Sequence, residues 1–182
     1  SGSSSSGNSS GGTTVETPSK LTEADLLKQG YQLKWQDNFD GNFLNRADWN
    51  VELHEKGWVN SEWQEYVDSD KNIQVKDGKL LIKPVETVNA DGTRSYTSGP
   101  INTQGKHDFK YGYFECRAKV PTGKGYLPAF WMMPTDENLY GQWPKCGEID
   151  IMEVMGQETN KAYGTIHYGE PHDQSQGTCT VD

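Results

Sequence analysis

The residues best placed to do chemistry lie in one short acidic stretch, Gly147-Glu148-Ile149-Asp150-Ile151-Met152-Glu153-Val154-Met155-Gly156. In a β-strand the side chains alternate faces with a period of two, so Glu148 and Asp150 share one face while Ile149 and Ile151 take the other. Glu153 breaks this parity, because it stands an odd number of residues after Glu148. One extra residue, a β-bulge near Ile151 or Met152, returns Glu153 to the acidic face. The two Glu Cα atoms are then roughly 13 Å apart. Side chains leaning together leave about 5 to 6 Å between the carboxyls, the separation at which one carboxylate attacks carbon and the other shuttles a proton. Like charges that close raise at least one pKa, which is useful where one acid must keep its proton beside an ionised neighbour. The same residue types also suit a calcium-binding carboxylate cluster or a solvated acidic strand face, and alternation alone does not choose among the three.

The surrounding chain supplies strands to hold this stretch. Lys161-Ala162-Tyr163-Gly164-Thr165-Ile166-His167-Tyr168 alternates so that Tyr163, Thr165 and His167 share a face. Leu127-Pro128-Ala129-Phe130-Trp131-Met132-Met133 is nearly all apolar, the pattern of a central strand covered on both faces, with Pro128 at its beginning or at a bulge. Tyr113 to Val120 has the clearest alternation, placing Phe114, Cys116, Ala118 and Val120 inward. Asn72 to Ile82 reads as two strands joined at Asp77-Gly78, and Asp91-Gly92 marks another turn. Tyr31 to Trp35 alternates, and Asp37 to Gly41 follows as a turn. Leu21 to Gln29 reads as a short peripheral helix within 21–30, capped by Thr22 and stopped by Gly30. Strands recurring at short intervals, with no long helix, predict an all-β sandwich of two antiparallel sheets.

Composition narrows the function further. Against 17 Lys+Arg the 182-residue chain carries 26 Asp+Glu, a formal net charge of −9, which argues against nucleic acid or an anionic membrane as partner. No apolar run is long enough to span a bilayer, and the first residues lack the basic-then-apolar layout of a signal peptide. Six Trp and nine Tyr supply flat rings that suit both a β-rich core and sugar faces. Cys116, Cys146 and Cys179 match no metal spacing, and their odd number allows at most one disulfide within the chain. Residues 1–20 form a Ser/Gly-rich segment whose composition behaves as a flexible linker, of the kind that joins modules of secreted proteins.

Taken as an ordered series, these segments resemble glycoside hydrolase family sixteen. The resemblance rests on Trp143 to Glu153, Pro128 to Met132 and Gly164 to Tyr168, supported by Asn60-Ser61-Glu62-Trp63-Gln64-Glu65-Tyr66, Asn72 to Leu81, Ile101 to Lys106 and Phe109 to Glu115. Within the family the residues are most similar to the bacterial laminarinase (endo-β-1,3-glucanase) group, whose motif carries the same extra residue as Met152 here. The resemblance implies a β-jelly-roll with a concave cleft and an extracellular enzyme that hydrolyses β-glucan with net retention. By motif position it makes Glu148 the nucleophile, Glu153 the acid/base and Asp150 the carboxylate tuning them. It gives Trp131 and Trp143 as sugar-stacking rings, Asn60 and Glu62 as partners of sugar hydroxyls, and His167 as a neighbour of the acids. Trp35 and Trp49 read as core.

The chemistry so implied needs no cofactor, although some relatives hold a structural calcium ion where Asp37, Asp40 and Gly41 stand. A plain turn also accounts for those three residues. The bulged motif is also found in several marine-galactan hydrolases and so permits hydrolysis or transglycosylation of another polysaccharide such as agarose or carrageenan, and a non-catalytic β-glucan-binding module is a further reading that the retained acids oppose. Two positions depart from the pattern: Pro100 stands where relatives often have Arg, and Leu127 where they often have Trp. The family domain is also longer than this chain, so residues 31–182 read as the N-terminal portion of a catalytic domain. The remaining strands are then expected from continuing sequence or from a second polypeptide.

Overall fold

The computed structural model describes residues 21–181, so the linker expected over 1–20 lies outside the described residues. The described chain is nearly all β, with one short helix. It divides into two compact units, one of residues 31–112 and one that joins residues 21–30 to 113–181.

Helix α1 (Glu23–Lys28) forms as its capping residues dictate. The Thr22 hydroxyl accepts from the Asp25 backbone N–H, and the Asp25 carboxylate accepts from the Thr22 N–H, so two orphan donors are satisfied reciprocally. Gly30 ends the helix at a φ of +86°. No residue of α1 is buried, as expected of a peripheral element.

In the unit of residues 31–112, β1 (Asn50–Val51) pairs with β7 (Ile101–Asn102), and β3 (Ile73–Val75) pairs with β4 (Leu80–Ile82). The β3–β4 hairpin turns through Asp77 and Gly78, both at positive φ (53° and 66°), as a two-residue turn matched to strand twist requires. Strands β5 (Val85–Val88) and β6 (Arg94–Ser98) pair antiparallel around the Asp91-Gly92 turn. One pairing departs from the all-antiparallel expectation: β2 (Gln64–Tyr66) runs parallel to β6. Leu44, Ile73 and Val75 form the core here, with Phe39, Trp49, Val51, Leu80 and Ile101 packed against them. Asn72, only 2% exposed, satisfies its amide on the Lys83 carbonyl and the Thr97 hydroxyl, tying the β3–β4 hairpin to β6.

The other unit is a four-stranded antiparallel sheet in the order β11-β10-β9-β8, made of β8 (Ala129–Met132), β9 (Glu148–Glu153), β10 (Lys161–Tyr168) and β11 (Asp173–Thr180). Its buried residues are Cys146, Asp150, Val154, Gly156, Ala162 and Thr165. All three cysteines are free.

Three expected strands are corrected. Residues 31–35 are not a strand, and residues 113–120 enter none of the described sheets; Cys116 and Ala118, read as inward, are exposed. Alternation reports a side-chain pattern, but a strand also needs a neighbour's ladder, which no local pattern supplies. The apolar run at 127–133 is an edge rather than a centre. Among the described residues β8 pairs with β9 alone, Phe130 and Met132 are half-buried, and Trp131 is 45% exposed on the opposite face.

The loop leaving β9 is held by an unusually close backbone approach. Gly156 N–H donates to the Tyr126 carbonyl and Gly123 N–H donates to the Gly156 carbonyl, both at 2.8 Å. A Cβ on Gly156 would meet the Gly123 carbonyl oxygen at 2.1 Å and the Tyr126 Cβ at 2.8 Å. Gly156→Ala is therefore expected to destabilise the protein by about 2 kcal/mol in chemical denaturation. Gly177→Ala, where a Cβ meets nothing within 4 Å, serves as the control; equal effects of the two would contradict this account.

Candidate active site

The acidic stretch is β9, and its registers locate the extra residue. Against β10, Glu148 pairs with His167, Ile149 with Ile166, Asp150 with Thr165, and Glu153 with Tyr163. Three steps along β9 from Asp150 to Glu153 thus match two steps along β10. Against β8, Asp150 pairs with Trp131 and Met152 with Phe130, one step on β8 for two on β9. The bulge therefore falls at Ile151, and it turns Glu153 back to the face of Glu148 and Asp150.

The side chains on that face are interlocked. Trp143, in the loop before β9, donates its indole N–H to Glu148 Oε2 at 2.6 Å. Asp150, 4% exposed, lies 3.0 Å from His167 Nε2 through its Oδ2 and hydrogen-bonds to Glu148. Burial, foremost, pushes the Asp150 carboxyl up to about 7, helped by the bond to Glu148 and the charges of Glu148 and Glu153 and opposed by His167. Glu153 is also raised, first by burial and then by the charge of Glu148. Two acids whose carboxyls are raised thus share a face with Glu148, an arrangement able to donate a proton and to present a nucleophile.

Glu148, Asp150 and His167 each offer a ligand atom, all within 4.8 Å of one another, so a cation could be shared among them. One donor is an imidazole nitrogen, whereas calcium selects oxygen, so the calcium-cluster reading fits this set poorly. At the other candidate calcium position, Asp37 accepts from the Phe39 N–H at 2.7 Å and from the Trp49 indole at 2.8 Å, the bonding of an ordinary Asx turn on a core ring.

The remaining candidates are distributed over both units. Trp131 sits beside Asp150 in register and Trp143 beside Glu148, each 45% exposed, so both rings keep an open face near the acids. Asn60 and Glu62 lie in the unit of residues 31–112. Asn60 is exposed at a φ of 51°, and half-buried Glu62 accepts from Gln64 Nε2 at 2.8 Å and the Tyr66 hydroxyl at 2.9 Å. Burial pushes that tyrosine up to about 12.

Residues 56–180 match the model of the glycosyl hydrolases family 16. The chain belongs to this family. Its family 16 relatives include the glucan endo-1,3-beta-glucosidase A1 of Niallia circulans, 43% identical over 86% of this chain and 25% of that protein. The glucan endo-1,3-beta-glucosidase of Cryptopygus antarcticus is 44% identical over 78% of this chain and 52% of its own length. Among solved structures, the laminarinase from Rhodothermus marinus superposes with a TM-score of 0.74 at 37% identity, covering 82% of this chain and 62% of that one. The chain therefore spans between a quarter and about half of these curated relatives. Its fold class is the β-jelly-roll of the family 16 structures.

One participant escaped the sequence reading. His172, in the turn between β10 and β11, places Nε2 at 3.0 Å from His167 Nδ1 and packs against the Trp143 ring at 5.0 Å. A histidine in a Gly-Glu-Pro-His turn carries no periodic signal.

A raised carboxyl pKa makes the folded protein hold the Asp150 proton more tightly than the unfolded chain does. Its ionisation thus costs stability progressively as pH rises from about 4 to about 7, and in full above that. Asp150→Asn, which cannot ionise, should therefore raise folding stability by about 1 to 3 kcal/mol at pH 8 and by nearly nothing at pH 4. Thermal denaturation at the two pH values checks this; an equal effect at both would mean that Asp150 is not held protonated.

Proposed function

We propose that this chain carries the acids of a retaining endo-glycosidase that hydrolyses β-1,3-glucan of the laminarin type and also accepts mixed-linkage β-1,3-1,4-glucan. The observation that carries the reading is the single-residue bulge at Ile151, which sets Glu148, Asp150 and Glu153 on one face. The names of the β-1,3-glucan-hydrolysing relatives support the substrate class.

In this reading Glu153, whose hold on its proton burial and the Glu148 charge strengthen, gives that proton to the glycosidic oxygen as the bond breaks. Glu148, steadied by the Trp143 indole, attacks the anomeric carbon and forms a glycosyl ester. Glu153, now a carboxylate, takes a proton from water, and the water displaces Glu148 with a second inversion. Asp150 shares its proton with Glu148 and releases the carboxylate as the ester forms. Trp131 and Trp143 stack on sugar faces, His167 orients Asp150, and Asn60 and Glu62 bond sugar hydroxyls.

The same proposal extends to setting. A polymer too large to cross a membrane is met outside the cell, so the enzyme acts there; among the described residues no helix is long and apolar enough to cross a membrane. The chemistry needs no cofactor, and a calcium ion bound at Asp37, Asp40 and Gly41 would have to share Asp37 with the Phe39 N–H and the Trp49 indole and would serve structure alone: chelation would then lower the melting temperature and leave kcat at low temperature unchanged, whereas a plain turn leaves both unchanged.

Reducing-sugar release from laminarin, barley β-glucan, agarose and carrageenan tests the assignment. Laminarin should be the preferred substrate, with activity falling to near background in Glu148→Gln while laminarin binding persists. Glu153→Gln should lose about 10² to 10⁴-fold. Undiminished hydrolysis by Glu148→Gln would refute the roles given, and preference for agarose or carrageenan would refute the substrate.

A further inference from the structure

His172 closes a chain of polar contacts that runs from solvent to the buried acid. Its Nε2 lies 3.0 Å from His167 Nδ1, and His167 Nε2 lies 3.0 Å from Asp150 Oδ2. His172 is exposed in the turn 169–172, whereas Asp150 is 4% exposed. The His167 and His172 rings lie edge to edge and nearly coplanar, with centroids 5.2 Å apart and planes 25° from parallel, and Trp143 packs against both.

A neutral imidazole has one N–H and one bare nitrogen, and the partner of either nitrogen settles which is which. If His172 donates Nε2–H to His167 Nδ1, the proton of His167 stays on Nε2, aimed at Asp150. Asp150 Oδ2 then accepts, leaving Oδ1 to carry the proton shared with Glu148. If His172 does not donate, His167 can place its proton on Nδ1 and turn a bare nitrogen towards Asp150, and Asp150 must then spend its proton on His167 instead of on Glu148. The groups facing His167 are Glu148, Asp150 and Glu153 from β9, His172 from the turn, and Gln174 opposite it on β11 with Asp173 beside that. Among these, His172 alone contacts Nδ1 in the described hydrogen bonds.

We propose that His172 is a positioning residue: its Nε2–H locks His167 in the Nε2–H tautomer, so that the Asp150 proton is directed at Glu148. This rests on the glycosidase reading above for its consequence, but the tautomer can be read without any catalysis.

Two variants separate the hydrogen bond from the ring packing. His172→Phe keeps a ring against Trp143 and loses the donor; His172→Gln keeps a donor and loses the ring. In the intact wild-type protein, long-range ¹H–¹⁵N correlation spectra should show His167 as the Nε2–H tautomer. His172→Phe should give a tautomer mixture, and His172→Gln should restore the single form. On laminarin, His172→Phe should lower kcat several-fold, with KM within about twofold, and shift a limb of the pH–rate profile by about half a pH unit or more. His172→Gln should keep the wild-type profile. A wild-type His167 carrying its proton on Nδ1, or an unaltered His167 tautomer in His172→Phe, would overturn the proposal. So would a glutamine variant that behaves like the phenylalanine one. A wild-type protein without hydrolytic activity would sink the glycosidase reading instead, and the spectra would still decide the tautomer.

Discussion

Crowding of negative charge is the constraint on which the site depends. Two unit charges about 5 Å apart repel by about 3 kcal/mol at an effective dielectric constant near 20, and a buried carboxylate pays desolvation as well. β9 meets this by leaving Asp150 protonated up to about pH 7 and by surrounding the face with polar partners: the Trp143 indole, which donates to Glu148, and the His167 imidazole beside Asp150. A regular strand would still set Glu148 beside Asp150, but Glu153 would point the other way. The bulge at Ile151 adds Glu153 to the crowding, and the aromatic and imidazole groups around it make the crowding tolerable.

Much of this was legible before any coordinates. The parity mismatch between Glu148 and Glu153 demanded a bulge within two positions, and the registers put it at Ile151, one of the two residues named. Local turn chemistry was equally readable: Asp77-Gly78 and Thr22 with Asp25 behave as their side chains and φ preferences require. These features are decided by residues adjacent in sequence. What could not be read were relations between distant segments. The parallel pairing of β2 with β6, the edge position of β8 and the failure of 113–120 to join a described sheet all depend on which strand lies alongside. His172 was missed for a different reason: it stands only five residues from His167, but the conformation of the β10–β11 turn that brings the two rings together has no signature in the residue types.

The aromatic residues divide along similar lines. Trp49 is tied inward by its indole bond to Asp37 and packs on Ile73 and its neighbours, while Trp131 and Trp143 keep nearly half their surface in solvent. Exposed rings of that size cost solvation unless something covers them in use, and these two stand beside the acids. Asn72 shows the opposite economy in the unit of residues 31–112, a buried amide fully engaged and serving only to join strands.

The position of the bulge also bears on how such a site can drift. Removing Ile151 would leave Glu-x-Asp-x-Glu, a spelling in which plain alternation puts all three acids on one face without any irregularity. Loss of a single codon there spares the constellation, whereas loss of Ile149 on the other side of Asp150 would send Glu148 to the opposite face. β9 thus has one step, Ile151-Met152, where its length is free to vary and a neighbouring one, at Ile149, where it is not, and genes that differ in length at the former would still encode the same three carboxylates.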